Sequence, residues 1–330
     1  MPLIGTLSSG VSALKAFSKG MEVIGDNIAN VNTTAFKGSR AQYSDNFANM
    51  LKRSAASPAD GSGSNTITMQ VGQGVHVGSI KVDFTQGPLG PTGKEADFGI
   101  SGNGFFRVRD TGGQKEYATR AGDFRVDDQG YLVTNQGFRV QGLSGGTGVM
   151  EASVVNGQLV YALSSITAPT AVGDLKVDSG LNFADGTLVN NTGGAYTDAE
   201  IAASAPKVQG FGVNGSGDII VQLSNGETLQ RGRVLLQNFQ DPNALVREAG
   251  NMFSGLQNAS PIGGLALSEA NNTPGAGGLG LIEQGTLEQS NVDLTEEFSQ
   301  LINSQRSFQA GSRLITTADS VLEEIVNLKR

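Results

Sequence analysis

The chain has no cysteine, no tryptophan, one histidine and only 9 prolines in 330 residues. Without cysteine there can be neither a disulfide nor a thiolate metal site. The lone histidine, His76, stands between Val75 and Val77 in a strand-like alternation. It has no partner for the usual zinc sites, so it reads as a sheet residue. A Ser-His-Asp hydrolase would have to use it, and no G-x-S-x-G motif is present. The net charge of −8 and pI near 4.8 argue against nucleic acid, which needs a basic face to displace counterions. No apolar run reaches the ~18 residues of a membrane span, so no membrane insertion is expected. No charged residue precedes Lys15, and Ser8, Ser9 and Gly10 interrupt the first apolar run. That pattern argues against a cleaved secretory signal and for export by another route.

Motifs for bound cofactors also fail on inspection. Gly87–Glu95 has the look of a phosphate loop, but its glycine spacing is too long, and Glu95 stands where Ser or Thr must bind magnesium. Gly99-x-x-Gly102-x-Gly104 and Gly72-x-Gly74 do not complete a dinucleotide fingerprint. Asp127-Asp128-Gln129-Gly130 lacks the later Glu of a calcium loop and reads as a hairpin turn. No catalytic, cofactor or metal residue is assigned, and the chain reads as a non-enzyme.

Glycine, at 47 residues, dominates what is present, and with many Asn, Asp, Ser and Thr it predicts short strands joined by tight turns. The two ends differ from the middle. Leu7, Leu14, Met21 and Ile28 recur at seven-residue intervals, with Ile4 and Val11 three places ahead of Leu7 and Leu14. Phe17, Ile24 and Val31 form a second row beside them. At the far end Leu294, Leu301, Phe308, Ile315 and Leu322 repeat the same interval, flanked by Leu314, Val321 and Leu328. Such rows predict two amphipathic helices that form a coiled-coil pair or pack against copies of the same chain. Gly5, Gly10, Gly20 and Gly25 each cost the first helix roughly 0.5–1 kcal/mol, so it should depend on packing. Asp293 is placed to cap the second helix, with Glu296 reaching back in a capping box.

The fold expected is α+β: a coiled-coil core domain of terminal helices (1–31 and 286–330) and antiparallel all-β middle domains, one inserted in the other. Residues 32–70 read as an extended linker region, with 52–66 an exposed loop. Alternating segments from Val75 to Val82, through Phe106 and Val108, across the Asp127–Gly130 turn, and on both sides of Ser224-Asn225-Gly226 place a β-rich domain at 71–143 and 207–285. Residues 144–206 read as a smaller inserted outer β-domain.

Ser9–Tyr43 (SGVSALKAFSKGMEVIGDNIANVNTTAFKGSRAQY) closely resembles the N-terminal signature of bacterial flagellar rod and hook proteins. Gly285–Arg330 is similar to the paired C-terminal signature, and Ile100–Asp110, Tyr117–Gly142 and Val234–Leu245 resemble the shared β-domain. The signature positions implied are Asn27, Asn30, Asn32, Thr33, Phe36, Lys37, Asn291 and Asp293. The resemblance implies a structural axial subunit that self-assembles into a helical tubular homo-oligomer. An inserted domain and the run Asn327–Arg330 favour the hook, the coupling between motor and filament; the distal rod is the alternative, and an extracellular adhesin a more distant one. The implied partners are the rod protein, the hook cap and hook–filament junction proteins, and the export apparatus. Two departures stand out. Ala35 occupies the usual place of a glycine, which argues against a left-handed backbone there. Ser307 and Gly311 replace the usual Gly and Asn around Phe308, which should loosen the second helix.

Overall fold

The computed structural model describes residues 2–54, 67–113, 115–155, 158–177, 182–183 and 207–328, the backbone alone at 2–4, 147–166 and 182–183. The chain divides into two compact units. The first comprises 1–32, 37–85 and 292–330; the second comprises 33–36 and 86–291.

In the first unit, helix α1 spans Pro2–Ala29 and helix α2 spans Leu294–Leu328. Strands β1 (Ser39–Asp45), β2 (Asn49–Lys52), β3 (Met69–Val71) and β4 (Val75–Val82) lie between them in sequence. The Asn30 side chain folds back onto the Asp26 carbonyl (2.9 Å) and carboxylate (3.0 Å), where α1 gives way to a turn. The carboxylate of Asp293 accepts from the N–H groups of Thr295 (2.7 Å) and Glu296 (3.3 Å), capping α2. Glu296 does not reach back: its carboxylate takes Arg40 (2.7 Å) and Gln300 (2.9 Å) instead.

β1 pairs antiparallel with β4, with a bulge at Gln42/Tyr43, and β2 pairs with β3. Two expectations are corrected here. Ser39–Asp45, read as linker because it is polar and unpatterned, is a strand, held by backbone bonds to β4 that need no apolar alternation. Val75–Val82, assigned to the β-rich domain, belongs to the helical unit instead. Residues 55–66 of the expected loop lie outside the described residues.

The second unit is built on an antiparallel sheet. Its strands are β5 (Leu89–Pro91), β6 (Phe98–Ser101), β7 (Phe105–Arg109), β8 (Glu116–Thr119), β9 (Phe124–Val126), β10 (Leu132–Thr134), β11 (Arg139–Ser144) and β12 (Thr147–Val155). They continue with β13 (Gln158–Thr167), β14 (Ala171–Asp174), β15 (Asn182–Phe183), β16 (Val208–Val213), β17 (Asp218–Leu223), β18 (Thr228–Val234) and β19 (Leu236–Gln237). The last are β20 (Val246–Arg247), β21 (Met252–Ser254), β22 (Leu281–Gln284) and β23 (Thr286–Glu288). The main path runs β16-β17-β18-β11-β7-β8-β21-β20.

The two expected hairpin turns are present. The Gly130 N–H closes one on Asp127 (2.9 Å), and the Gly226 N–H closes the other on Leu223 (2.9 Å). β17 shows the expected alternation, with Ile219, Val221 and Leu223 buried and Gln222 exposed. β7 does not alternate: Phe105, Phe106, Arg107 and Val108 are all buried. Phe105 faces Phe239 and Phe253 on one side, while Phe106 joins Phe98, Ile100, Val108 and Leu236 in the core on the other. A strand covered on both faces loses its polar alternate positions.

β12, β13 and β15 form their own small sheet, whereas β14 pairs β11 in the main one. Most of the remaining expected insert, 178–181 and 184–206, lies outside the described residues. The unit also extends past 285: β23 pairs β5, and Arg120 meets the fully buried Glu288 carboxylate at 3.3 Å.

Candidate assembly surface

In the first unit α1 and α2 run antiparallel, because Gly10 meets Ile315, Leu14 meets Gly311 and Asn27 meets Glu297. The glycines that look costly in sequence divide into two kinds. A Cβ at Gly10 would lie 2.9 Å from Ile315 Cγ1, and one at Gly20 would collide with the Tyr43 hydroxyl. Gly5 and Gly25 face open space. At Gly311 a Cβ would come within 3.4 Å of Leu14. Gly10 thus lets the helices approach closely, whereas a Cβ at Gly311 would sit in ordinary van der Waals contact with Leu14.

The two apolar rows of α1 are both used within this unit. Leu14 faces α2, while Phe17 packs edge-on against Tyr43 of β1 at 5.7 Å. Ile24 is buried, and Leu7, Phe17, Met21, Ile28 and Val31 are half-buried, leaving Val11 exposed (37 %). The side chain of Ile4 lies outside the described residues. On α2 the seven-residue row splits: Leu301, Phe308, Ile315 and Leu322 are half-buried, whereas Leu294 and Leu328 are exposed.

Apolar surface is left uncovered at Phe47, Leu51, Ile67 and Met69, on and beside β2 and β3, and on the flanks of α2. Leu314, Val321, Ile325 and Leu328 are all exposed, from 43 % to 87 %, and at 3.6 residues per turn they share one face. Phe298 and Ile302, also exposed and one turn apart, form a second patch near the start of the helix. Reading single heptad rows missed Phe298, Ile302 and Ile325. Tracking every apolar position at 100° per residue would have separated a row covered by α1 from the two flanks.

The signature residues mostly brace these elements. Asn27, 2 % exposed, donates to the Ser39 carbonyl (2.8 Å) and to Glu297 (3.0 Å), and accepts from the Ser39 N–H (2.8 Å). One amide thereby ties α1, β1 and α2. Burial pushes the Glu297 carboxyl up, against the Asn27 hydrogen bond, and its Oε2 is buried without a partner. The N–H groups of Thr295 and Glu296 hold the Asp293 carboxyl low. Lys37, also buried, donates its ammonium to the Thr85 carbonyl at 2.7 Å. Asn30 closes α1 as described, and Asn32 is exposed.

In the second unit, Phe36 is fully buried under the Arg247 guanidinium, 4.2 Å from its ring centre. Asn291 donates its N–H to the Phe36 carbonyl (3.4 Å), and Thr33 is half-buried. Ala35 does take the left-handed backbone (φ 54), contrary to expectation, while its N–H donates to the Glu288 carbonyl at 2.8 Å. The neighbours over-determine this turn and hold alanine where glycine would be unstrained.

Among the described residues no group of His, Asp and Glu is arranged to hold a metal ion. His76 is exposed on β4 opposite Ser44. No helix among them is long and apolar enough to cross a membrane.

Comparison with known proteins agrees with the two ends. Residues 7–37 match the family described as flagella basal body rod protein. Residues 99–180 match the flagellar hook protein FlgE/F/G D1 domain, and 283–328 match the flagellar basal body rod FlgEFG protein C-terminal family. The chain is 33 % identical to the flagellar basal-body rod protein FlgG of Bacillus subtilis over 328 residues, covering 99 % of this chain and all of that one. It is 28 % identical to the flagellar hook protein FlgE of Borreliella burgdorferi over 452 residues, covering 99 % and 100 % of the two chains. The Escherichia coli hook protein FlgE is 27 % identical over 427 residues, covering 98 % and 99 %. The chain belongs to the flagellar rod and hook protein family and is a structural component of the bacterial flagellum.

Proposed function

We propose that this chain is the subunit of the tubular flagellar hook, polymerising head-to-tail into a helical tube that couples motor to filament. The observation that carries self-assembly is the exposed apolar surface of α2: the Leu314–Leu328 face and the Phe298/Ile302 patch. Each such side chain gains about 1.5–3 kcal/mol on burial, and open heterologous contacts between copies bury them in a helical polymer. Coiled-coil packing between copies would engage the two heptad helices, from Ile4 to Val31 and from Leu294 to Leu328. Polymerisation would cover the faces of these helices that the folded single chain leaves exposed. Rod, cap and junction proteins and the export apparatus are the partners that go with this role, and the extracellular hook is its place.

For the hook speak the run Asn327–Arg330, the small β12–β13–β15 sheet in the expected insert, and matches to hook proteins along their whole length. The distal rod is the second reading. It is favoured by the 33 % identity to the Bacillus rod protein over 328 residues, against hook alignments that run well beyond this chain's own length. Electron microscopy of the purified polymer separates the two: curved tubes are expected, and straight rods would overturn the hook assignment. Removing residues 1–28 should leave a β-rich monomer that forms no tubes; tubes from that variant would refute the role given to the helices.

A further inference from the structure

In the β-rich unit, the loop after β8, the β10–β11 turn, the segment before β21 and the Thr33–Thr34 turn enclose a cavity of about 210 Å³. Most of its lining surface is apolar carbon, into which Thr33, Thr34, Asn135 and Asn251 bring polar groups around a single carboxylate, Asp123. The walls are fixed in place. Asn251 holds a left-handed backbone (φ 56), and its amide donates to the Thr34 carbonyl at 2.6 Å. The Asn135 amide donates to Asp123 Oδ2, also at 2.6 Å.

Charge balance at Asp123 is incomplete. Among the described residues no Lys, Arg or His forms an ion pair with it, whereas Asp174 and Asp218 elsewhere in the unit each take arginine. Its backbone bridge partner Asp97 is a second carboxylate, itself buried. Burial raises the Asp123 carboxyl, and Asp97 adds to that rise against its hydrogen bonds. A half-buried carboxylate that faces a cavity of hydroxyls and amides offers acceptors on several sides and lacks a cation.

We propose that this cavity binds a guanidinium or primary ammonium group, whose N–H donors bond Asp123 and the surrounding side-chain oxygens. The group comes from an arginine or lysine of a second copy, which rests on the polymer reading above, or from a free small amine.

The test titrates the full chain with methylguanidinium chloride, and separately with tetramethylammonium chloride at equal ionic strength, following the amide resonances of Asn135 and Asn251. Saturable shifts with methylguanidinium alone are expected. Asp123→Asn should weaken that binding at least about tenfold. Ala121→Leu, which fills the cavity and keeps the carboxylate, should abolish it. Equal responses to both salts, or unchanged affinity in Asp123→Asn, would overturn the site. Slower polymerisation of Asp123→Asn, with methylguanidinium inhibiting the parent chain, assigns the cation to a neighbouring copy. Unchanged polymerisation with binding lost assigns it to a free amine. Failure of the parent chain to polymerise would strike the tubular role and leave the titration result standing.

Discussion

The two units of this chain use apolar residues in opposite ways. The β-rich unit turns them inward: Phe98, Ile100, Phe106, Val108, Leu132, Val140, Leu175, Ile219, Val234 and Leu236 are all fully buried. It has the core a domain needs to fold alone. The helical unit buries Ala16, Val23, Ile24 and Ala318, leaves most of its longer side chains half-covered and exposes a whole face of α2. Surface patches of that kind mark contact sites. The difference teaches that one unit closes a full apolar core while the other leaves apolar faces uncovered.

The largest test strikes the self-sufficient half. Phe106→Ala, at a site with no exposure, should cost about 3–5 kcal/mol of stability, seen as an earlier melting transition of the β-rich unit. Ile302→Asp, on the exposed flank of α2, should leave melting of the monomer unchanged. It should raise the critical concentration for polymerisation on the order of tenfold or more, from the ~1.5–3 kcal/mol of lost burial. Light scattering against protein concentration reads this directly, and a parallel fall in monomer melting would erase the contrast between the units.

Gly10→Val should separate α1 from α2. A side chain 2.9 Å from Ile315 overpacks the contact by roughly 1–3 kcal/mol, measurable as lost helicity with the β-rich transition intact. Ala35→Gly should act in the other direction, stabilising the β-rich unit by about 1 kcal/mol as the left-handed strain is relieved.

The smallest effect concerns Glu297. Its folded pKa lies above the unfolded one, so the protonated form folds better. That contribution is present in full below the unfolded pKa and is lost as pH rises through the folded one. Glu297→Gln should therefore be more stable than the parent near neutral pH. The advantage should vanish on acidification, as shown by melting curves of both proteins across that range.

Some of this was legible without coordinates. The period-seven rows located both helices, Asp293 marked the start of α2, and the Asp127–Gly130 and Ser224–Gly226 turns placed two hairpins. β1 was not legible, since Ser39–Asp45 owes its form to backbone pairing with β4 and carries no pattern of its own. Nor was the burial of both faces of β7, because Phe105 and Phe106 reveal which side is covered only when Phe239 and Phe253 are in place.

The heptad stretch shows where the division falls. Sequence alone determined that the terminal segments are amphipathic helices carrying the family's signatures, because periodicity and local hydrogen-bonding chemistry are properties of neighbours in the chain. Which apolar row stays uncovered was decided by tertiary structure. Close approach at Gly10 and the seating of Tyr43 at Gly20 partly cover both rows of α1, and they leave the flanks of α2 open. Contacts between residues distant in the chain, Gly10 with Ile315 among them, set that choice, and no local pattern encodes them.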